Sequence, residues 1–204
     1  MPRRYVQRVR AEAAQQTRRA ILDAARTVLL GEAGLELAVG AVAAEAGVAR
    51  STVYTAFESR AGLMAALANE TLERAGLADV IAQYRNPDAV EALERSLRAS
   101  CRMYASEYPV LARLVVLAAV DPEAAAPLAR SQQDRARGMA DLAERLEAQG
   151  RLRPDLDVHA AADILWLLTG FGSFDELHSG RGLSADATAD RLLRIARGVV
   201  IAEA

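Results

Sequence analysis

The chain has 204 residues, of which 52% are hydrophobic and 25% are charged. This balance supports a buried core, excludes a disordered chain and leaves room for one large or two small domains. Alanine and leucine occur 45 and 26 times, whereas valine, isoleucine and threonine together occur 28 times. Helix formers therefore outnumber β-branched residues, which predicts an all-α fold. No stretch reaches the ~20 apolar residues of a membrane helix, because Asp163 interrupts the longest one, Val158–Ser173.

Positive charge is concentrated at the N-terminal end of the sequence. Residues 1–26 contain seven arginines and two acidic residues, a net charge of +5, whereas residues 61–204 carry a net charge of −5. The opening sequence lacks the apolar core of a signal peptide, and a lone cysteine, Cys101, excludes an internal disulfide. We therefore expect a soluble cytoplasmic protein in which Cys101 is a small buried hydrophobe.

Three helical patterns occupy the first 60 residues. The first helix is predicted from Thr17, as its N-cap, to Gly31, and the second covers Val39–Ala46. Gly47 then supplies the permissive backbone of a tight turn. The third helix, Arg50–Phe57, combines an apolar pair four residues apart with a polar, partly basic face. A short helix of this kind fits the major groove of DNA.

Six further helices are predicted from apolar periodicity and from proline or glycine near their ends. Pro127 is expected to kink or divide the longest of them. The prediction for the whole chain is therefore about nine helices. The first of the six begins at Ser59 and continues past Leu77. The other five run from Asn86 to about Ser106, from Pro109 to Val120, from Pro122 to Gly150, from Asp157 to His178 and from Ser184 to Ile201.

The run TRRAILDAARTVLL begins at Thr17 and is followed by Gly34 and by VGAVAAEAGVARSTVYTAFESRAGL. Together this sequence, from Thr17 to Leu63, resembles the N-terminal DNA-binding domain of TetR-family transcriptional regulators. It looks like that family's helix-turn-helix followed by its Tyr-x-x-Phe recognition helix. The match is specific, because several residue types recur at fixed spacing along the whole segment. The rest of the chain resembles the family only in length and helical layout.

The resemblance implies that the third helix enters the major groove, and that helix N-termini add partial positive charge where they meet phosphates. The residues that it assigns to DNA are Arg50, Ser51, Thr52 and Thr55 at base edges or nearby phosphates, Tyr54 at the DNA backbone through its hydroxyl, Thr17 and Arg60 at phosphates from the first turns of helices one and four, and Arg8 and Arg10 in an arm with Arg3 and Arg4.

Four positions depart from the family pattern. Alanine stands at Ala38 and Ala49, where family members commonly carry threonine or serine, so helices two and three are expected to lack side-chain caps. Arg60 replaces the usual lysine and keeps its charge. Ala56 replaces a frequent histidine and removes one polar contact. These changes bear on the details of DNA contact and leave the helix-turn-helix in place.

The same resemblance divides the chain into residues 1–61, the arm and helix-turn-helix, and residues 62–204, a helical ligand-binding and dimerisation domain. The last two predicted helices have broad apolar faces with small residues, and in the family such a pair forms a four-helix interface with a second copy. A twofold dimer reads a palindromic site in double-stranded DNA. Residues of this kind at helical spacing are more often plain core than ligand contacts. The candidate effector residues are Met103, Tyr104, Tyr108, Trp166, Phe171 and Phe174.

The functional hypothesis is a homodimeric repressor that a small-molecule effector releases from a palindromic operator, by binding the non-DNA conformation better. The alternative is a helical small-molecule or partner-binding protein with a vestigial DNA-binding module. An enzyme is not expected, because the two histidines show no metal-ligand spacing and no phosphate-binding loop occurs. Asp175 and His178 resemble a catalytic dyad, but a histidine in the last turn of a helix needs no catalytic role. No cofactor or metal is predicted.

Overall fold

The computed structural model describes residues 2–31 and 36–202, with side chains from residue 11 onward. Regular structure in this part of the chain is helical apart from one antiparallel bridge between Leu152 and Ile201, which confirms the all-α prediction. Taken singly, none of these helices has the length and apolarity of a membrane span, and Ala89–Ser106 with Tyr108–Val120 meets that test only as a bent pair. The helices are α1 (Pro2–Leu30), α2 (Val39–Glu45), α3 (Arg50–Phe57), α4 (Arg60–Ala75), α5 (Leu77–Tyr84), α6 (Ala89–Ser106), α7 (Tyr108–Val120), α8 (Pro122–Ala148), α9 (Val158–Leu168), α10 (Phe171–His178) and α11 (Ala185–Val199).

The described residues form eleven helices, whereas about nine were predicted, because glycine divides two of the predicted helices. Gly76, with φ +98°, adopts the left-handed conformation and separates α4 from α5. Gly170 is extended and is the N-cap of α10, so the helix predicted from Asp157 to His178 ends before it. Of the two alternatives predicted at Pro127, a kink or a division, the division does not occur, because α8 continues through Pro127 as one helix. The kink stays a prediction.

Two predicted helix starts are also wrong. Thr17 is not an N-cap, because the alanine- and glutamine-rich residues before it continue α1, and its hydroxyl donates to the Ala13 carbonyl at 3.0 Å. Asn86 does not cap α6; Asp88 does, accepting from the Glu91 N–H at 2.9 Å. The Asn86 side chain instead accepts from the Asp88 N–H at 3.0 Å and forms a turn ahead of the helix.

The chain folds into two compact units, of which the first contains the three N-terminal helices. It comprises the described residues up to Thr71 together with Pro109–Ala129. Its core is a single hydrophobic cluster to which five helices and the start of α8 contribute. The largest fully buried side chains of this cluster are Ile21, Leu29, Leu37, Leu63, Met64, Leu67 and Leu117.

The second unit comprises Leu72–Tyr108 together with the described residues from Arg130 onward. In it α6 packs against α5, α10 and α11, and the last three helices pack against one another. The bridge between Leu152 and Ile201 joins the segment after α8 to the end of α11. The domain boundary between residues 61 and 62 stays a prediction. The fully buried side chains of this unit include Leu93, Leu97, Leu142, Leu146 and Phe174.

Candidate nucleic-acid interface

The turn between α2 and α3 is closed by the backbone. Gly47 has φ +66°, which a residue with a side chain adopts only with strain. Its conformation lets the Val48 N–H bond to the Ala43 carbonyl at 3.0 Å, while the Gly47 N–H bonds to the Ala44 carbonyl at 3.2 Å. This pair of bonds is a helix C-terminal motif that redirects the chain sharply. The turn predicted at Gly47 is therefore confirmed, and it sets the angle between α2 and α3.

Helix α3 has one buried and one exposed face. Val53 and Phe57 are almost completely buried in the core of the first unit, whereas Tyr54 is 48% exposed. The two buried residues are four apart and fix the rotation of the helix. The face that remains accessible is polar and consists of Arg50, Ser51, Tyr54 and Thr55, with Thr52 half-buried beside it.

Both α2 and α3 begin without a side-chain cap, as the alanines at Ala38 and Ala49 predicted. The backbone at both positions is extended, which is the conformation of an N-cap residue. The first N–H groups of each helix are thus left without a side-chain acceptor from the N-cap.

Arg50 and Tyr54 line an open groove of about 310 Å³ on the first unit. The groove lies beside the exposed face of α3, so a ligand in it would also meet that face. Its other lining residues come from the turn before α2 and from the starts of α2 and α4, and they are Glu36, Ala38, Val39, Gly40 and Arg60.

Arg60 begins α4 as predicted, but its guanidinium is held within the first unit. Its Nη2 lies 2.5 Å from a carboxylate oxygen of Asp121 and 2.5 Å from the Glu36 carbonyl oxygen. Its Nη1 lies 3.2 Å from Glu123, and its Nε donates to the Leu37 carbonyl at 3.3 Å. The bond from Arg60 lowers the pKa of Asp121, and the same bond raises the pKa of Arg60 against the opposing effect of burial. A phosphate would have to compete with these carboxylates.

Arg18 of α1 holds the C-terminal end of α3. Its Nη1 donates to the Ala56 carbonyl at 2.6 Å, and its Cζ lies 4.1 Å from the centre of the Phe57 ring. The carbonyls in the last turn of a helix lack intrahelical donors and attract cations. The sequence indicated the arginine-rich character of α1 but gave no sign of this contact, because its partner is a backbone atom 38 residues away.

The remaining predicted DNA contacts lie apart from this face or outside the described side chains. The side chains of Arg8 and Arg10, and of Arg3 and Arg4, lie outside the described residues. Thr17 is half-buried within α1, so no helix N-terminus accompanies it. Its assignment to phosphate stays a prediction without that support.

Four of the six predicted effector residues come together in the second unit. The Tyr104 ring centre lies 5.5 Å from those of Phe171 and Phe174, and the Tyr108 ring stacks on Phe171 at 5.9 Å. His178, not predicted as an effector residue, stacks on Phe174 at 4.7 Å. These rings contact one another directly, which is the packing of an aromatic core.

Two tyrosine hydroxyls of this aromatic cluster have polar partners. Tyr104 donates to the Thr169 carbonyl at 3.1 Å, and Tyr108 donates to Asp175 at 2.6 Å. Burial raises the pKa of Tyr104, and the hydrogen bond to Asp175 raises the pKa of Tyr108. The Nδ1 of His178 lies 2.6 Å from the Leu183 carbonyl oxygen, so Asp175 and His178 are each bound to other partners.

The other two predicted effector residues, Trp166 and Met103, are placed differently. Trp166 is 38% exposed on α9, and the guanidinium of Arg135 lies over its ring with Cζ 4.6 Å from the centre. Arg135 also donates to the Trp166 carbonyl and, at 3.1 Å, to the Thr169 hydroxyl, and burial lowers its pKa. Met103 is buried on α6.

Residues 21–67 match the family model of bacterial regulatory proteins of the TetR family. The match covers α2, α3, most of the second half of α1 and the first half of α4. Residues 21–67 are therefore a TetR-family domain. The resemblance seen in the sequence is therefore confirmed. A domain of this family is a DNA-binding helix-turn-helix that functions in transcription regulation. No match is found among curated proteins.

Several solved structures align over nearly their whole length with nearly the whole of this chain. NalD, the secondary repressor of the MexAB-OprM multidrug efflux pump in Pseudomonas aeruginosa, has a TM-score of 0.73 at 23% identity, covering 95% of this chain and 100% of that chain. GusR of Salmonella enterica has a TM-score of 0.68 at 22% identity, covering 91% and 95%. A transcriptional regulator from Rhodococcus sp. Rha1 has a TM-score of 0.64 at 18% identity, covering 92% and 99%. Likeness at these identities shows the shared fold.

Proposed function

We propose that the protein is a homodimeric transcriptional repressor that a small-molecule effector releases from a palindromic operator. Residues 1–61 bind DNA, and residues 62–204 bind the effector and the second copy. The observation that carries the proposal is the exposed polar face of α3, held in place by Val53 and Phe57. A repressor of this kind acts on chromosomal DNA and therefore in the cytoplasm.

The DNA contact is assigned to the exposed face of α3. Arg50 has the fork of donors that suits guanine or phosphate, and the hydroxyls of Ser51, Thr52 and Thr55 suit base edges or phosphates. The half-exposed Tyr54 reaches the DNA backbone through its hydroxyl. Arg60 belongs to this site only in a conformation in which DNA phosphate replaces Asp121 and Glu123.

The dimer contact is assigned to α9, α10 and α11, which replace the last two predicted helices. Leu167 of α9 is 60% exposed, and Ile195 and Val199 of α11 are 48% and 42% exposed. Exposed apolar side chains on neighbouring helices lose contact with water when a second copy covers them. A twofold arrangement then gives two recognition helices for two half-sites.

Effector binding is assigned to the second unit, around the aromatic cluster and with Trp166 and Met103 at its margin. Because these rings contact one another, an effector must enter by displacing ring contacts. Helix α4 begins in the first unit and its residues after Thr71 belong to the second. The effector binds better to the conformation that is unable to bind DNA, and α4 is the helix to which we assign transmission of this change.

The test is fluorescence anisotropy of the protein with the duplex upstream of its own coding region, against a scrambled duplex, at two salt concentrations. We expect selective, salt-sensitive binding that Arg50→Ala and Tyr54→Ala each weaken by about tenfold or more. Arg137→Ala, an exposed arginine of α8, is the matched control and leaves binding unchanged. Equal weak binding to both duplexes moves the test to a random-sequence selection, and a failure to enrich any site overturns the proposal.

Repression and release need separate readouts. In a transcription assay on the selected duplex, added protein lowers transcript yield; a rise would identify an activator instead. A broad small-molecule screen against the protein–DNA complex then tests release. A complex that no compound weakens contradicts the effector switch and leaves DNA binding intact.

A second candidate function is a helical binding protein with a vestigial DNA module. The uncapped starts of α2 and α3, at Ala38 and Ala49, favour it, because they weaken the helix-turn-helix. The two functions differ in the salt dependence of DNA binding. A phosphate-contacting dimer gives a log–log slope of about −0.9 for each phosphate contact, whereas a vestigial module gives a shallow slope and no preferred sequence.

A further inference from the structure

Gly40, the second residue of α2, lies directly against the guanidinium of Arg50. A Cβ atom added to Gly40 would lie 2.8 Å from Cζ and from Nε of Arg50, and closer still to Nη2. Real Cβ atoms essentially never approach another heavy atom within 3.0 Å. The observed position of the Arg50 side chain is therefore compatible with glycine at position 40 and with no other residue.

The backbone of Gly40 gives no reason for a glycine. Gly40 is helical and lies outside the set of glycines with positive φ, unlike Gly47. Glycine within a helix is less stable than alanine, because it loses more conformational freedom on folding. The space that it leaves for Arg50 supplies the missing reason.

The Arg50 guanidinium packs against the backbone of Gly40. Arg50 is the exposed first residue of α3, and within the described residues its guanidinium forms no ion pair or hydrogen bond. The two residues line the same groove as Tyr54. The far end of an arginine moves easily, so a methyl group at position 40 would shift the guanidinium without disturbing the helices.

We propose that Gly40 is a positioning residue of the DNA interface, whose missing side chain seats the Arg50 guanidinium against α2 in the orientation that contacts DNA. This inference rests on the proposed function, because it concerns the same interface. It assigns to Gly40 a role through Arg50 and no contact of its own with DNA.

The experiment is a double-mutant cycle of Gly40→Ala and Arg50→Ala, measured by anisotropy on the duplex that the unaltered protein selects. Arg50→Ala is expected to weaken binding by about ten- to a hundredfold and Gly40→Ala by about threefold or more. In the Arg50→Ala background Gly40→Ala has no further effect. The thermal midpoint of Gly40→Ala is unchanged or raised, because alanine favours the helix.

Controls separate this inference from the proposed function. Gly138→Ala, at a helical glycine of α8 whose added Cβ would meet only the Tyr84 ring, at 4.0 Å, leaves DNA binding unchanged. In the free protein, nuclear Overhauser effects between Gly40 Hα and Arg50 Hδ protons report the contact without DNA, and their absence overturns the inference alone. A loss of DNA affinity that Gly40→Ala still causes in the Arg50→Ala background also overturns the inference, because it means that position 40 contacts DNA directly. Failure of the unaltered protein to select any duplex overturns the proposed function, and this inference with it.

Discussion

The guanidinium of Arg18 in α1 and the carbonyl oxygen of Ala56 in α3 are joined by a 2.6 Å hydrogen bond. The bond reaches the last turn of α3, where a cation also meets the negative end of the helix dipole. The same guanidinium lies over the ring of Phe57, the buried anchor of α3. Helix α1 therefore fixes the end of α3 opposite to Arg50.

Arg18→Met keeps the aliphatic part of the side chain and removes these two contacts. We expect it to lower the free energy of unfolding by about 1 kcal/mol and to weaken DNA binding, because the end of α3 is released. Urea unfolding and anisotropy measure the two effects. Arg19→Met, at an exposed neighbour on the same helix, is the control. Equal behaviour of the two variants would contradict a specific role for Arg18.

Asp121 gives the stability of the first unit a defined pH dependence. Its pKa is lowered in the folded state by the hydrogen bond from Arg60. The stabilisation is therefore complete above the ordinary aspartate pKa of about 4 and is lost as the pH falls through the lower folded value. We expect Asp121→Asn to be less stable than the unaltered protein at pH 6, and the two thermal midpoints to converge below pH 4.

The control for Asp121 is Asp134→Asn, which breaks an exposed ion pair with Arg137 within one helix. A pair of that kind contributes little to stability. If both variants lower the thermal midpoint equally at pH 6, the ion pair between Asp121 and Arg60 contributes no more to stability than an exposed pair does.

The uncapped starts of α2 and α3 predict a stabilising change. Ala49 has φ −71° and ψ 150°, so a serine there is already in N-cap conformation. We expect Ala49→Ser to raise the free energy of unfolding by about 0.5–2 kcal/mol. Ser59→Ala removes the existing bond from the Gly62 N–H, 3.0 Å long, and is expected to lower it by about 1 kcal/mol. A serine at position 49 without effect would mean that water or a neighbour already satisfies these N–H groups.

Sequence patterns predicted the helix-turn-helix closely, because its signals are local. Helix α3 has the predicted bounds of Arg50 and Phe57, Ser59 caps α4, and Gly47 has the expected turn conformation. The breaks at Gly76 and Gly170 were missed, because apolar periodicity continues across both and a single glycine inside a helix costs only about 1 kcal/mol.

The contacts around the site could not be predicted from sequence patterns, for a different reason. Arg60 binds Asp121, 61 residues away, and Arg18 binds a backbone carbonyl of α3. Periodicity assigns charged side chains to a solvated face and gives no information on which distant partner they meet. One local signal for the contact between Gly40 and Arg50 did exist. Gly40 lies near the start of a short helix, where no turn requires a glycine.

A substitution at Phe174 tests whether the aromatic cluster is packed core or lines a pocket. It is fully buried and touches the rings of Tyr104, Phe171 and His178. Phe174→Ala is expected to lower the free energy of unfolding by about 3–5 kcal/mol, the cost of a large cavity in a packed core. Trp166→Ala costs less, because Trp166 is already 38% exposed. Comparable small losses in both variants would indicate that Phe174 lines a space that is not filled by protein.

The proposed dimer makes Leu167 a sensitive position, because a carboxylate there would be buried against the second copy without a partner. Leu167 is 60% exposed in the single chain, so Leu167→Glu leaves the fold of that chain intact. We expect sedimentation velocity to show a dimer for the unaltered protein and a monomer for the variant, with the same helical circular dichroism. Val116→Glu on α7, at a valine 49% exposed, is the control and stays dimeric. A monomeric variant loses the second half-site, so its affinity for the palindrome falls to that for a single half-site; a variant that stays dimeric would place the interface elsewhere.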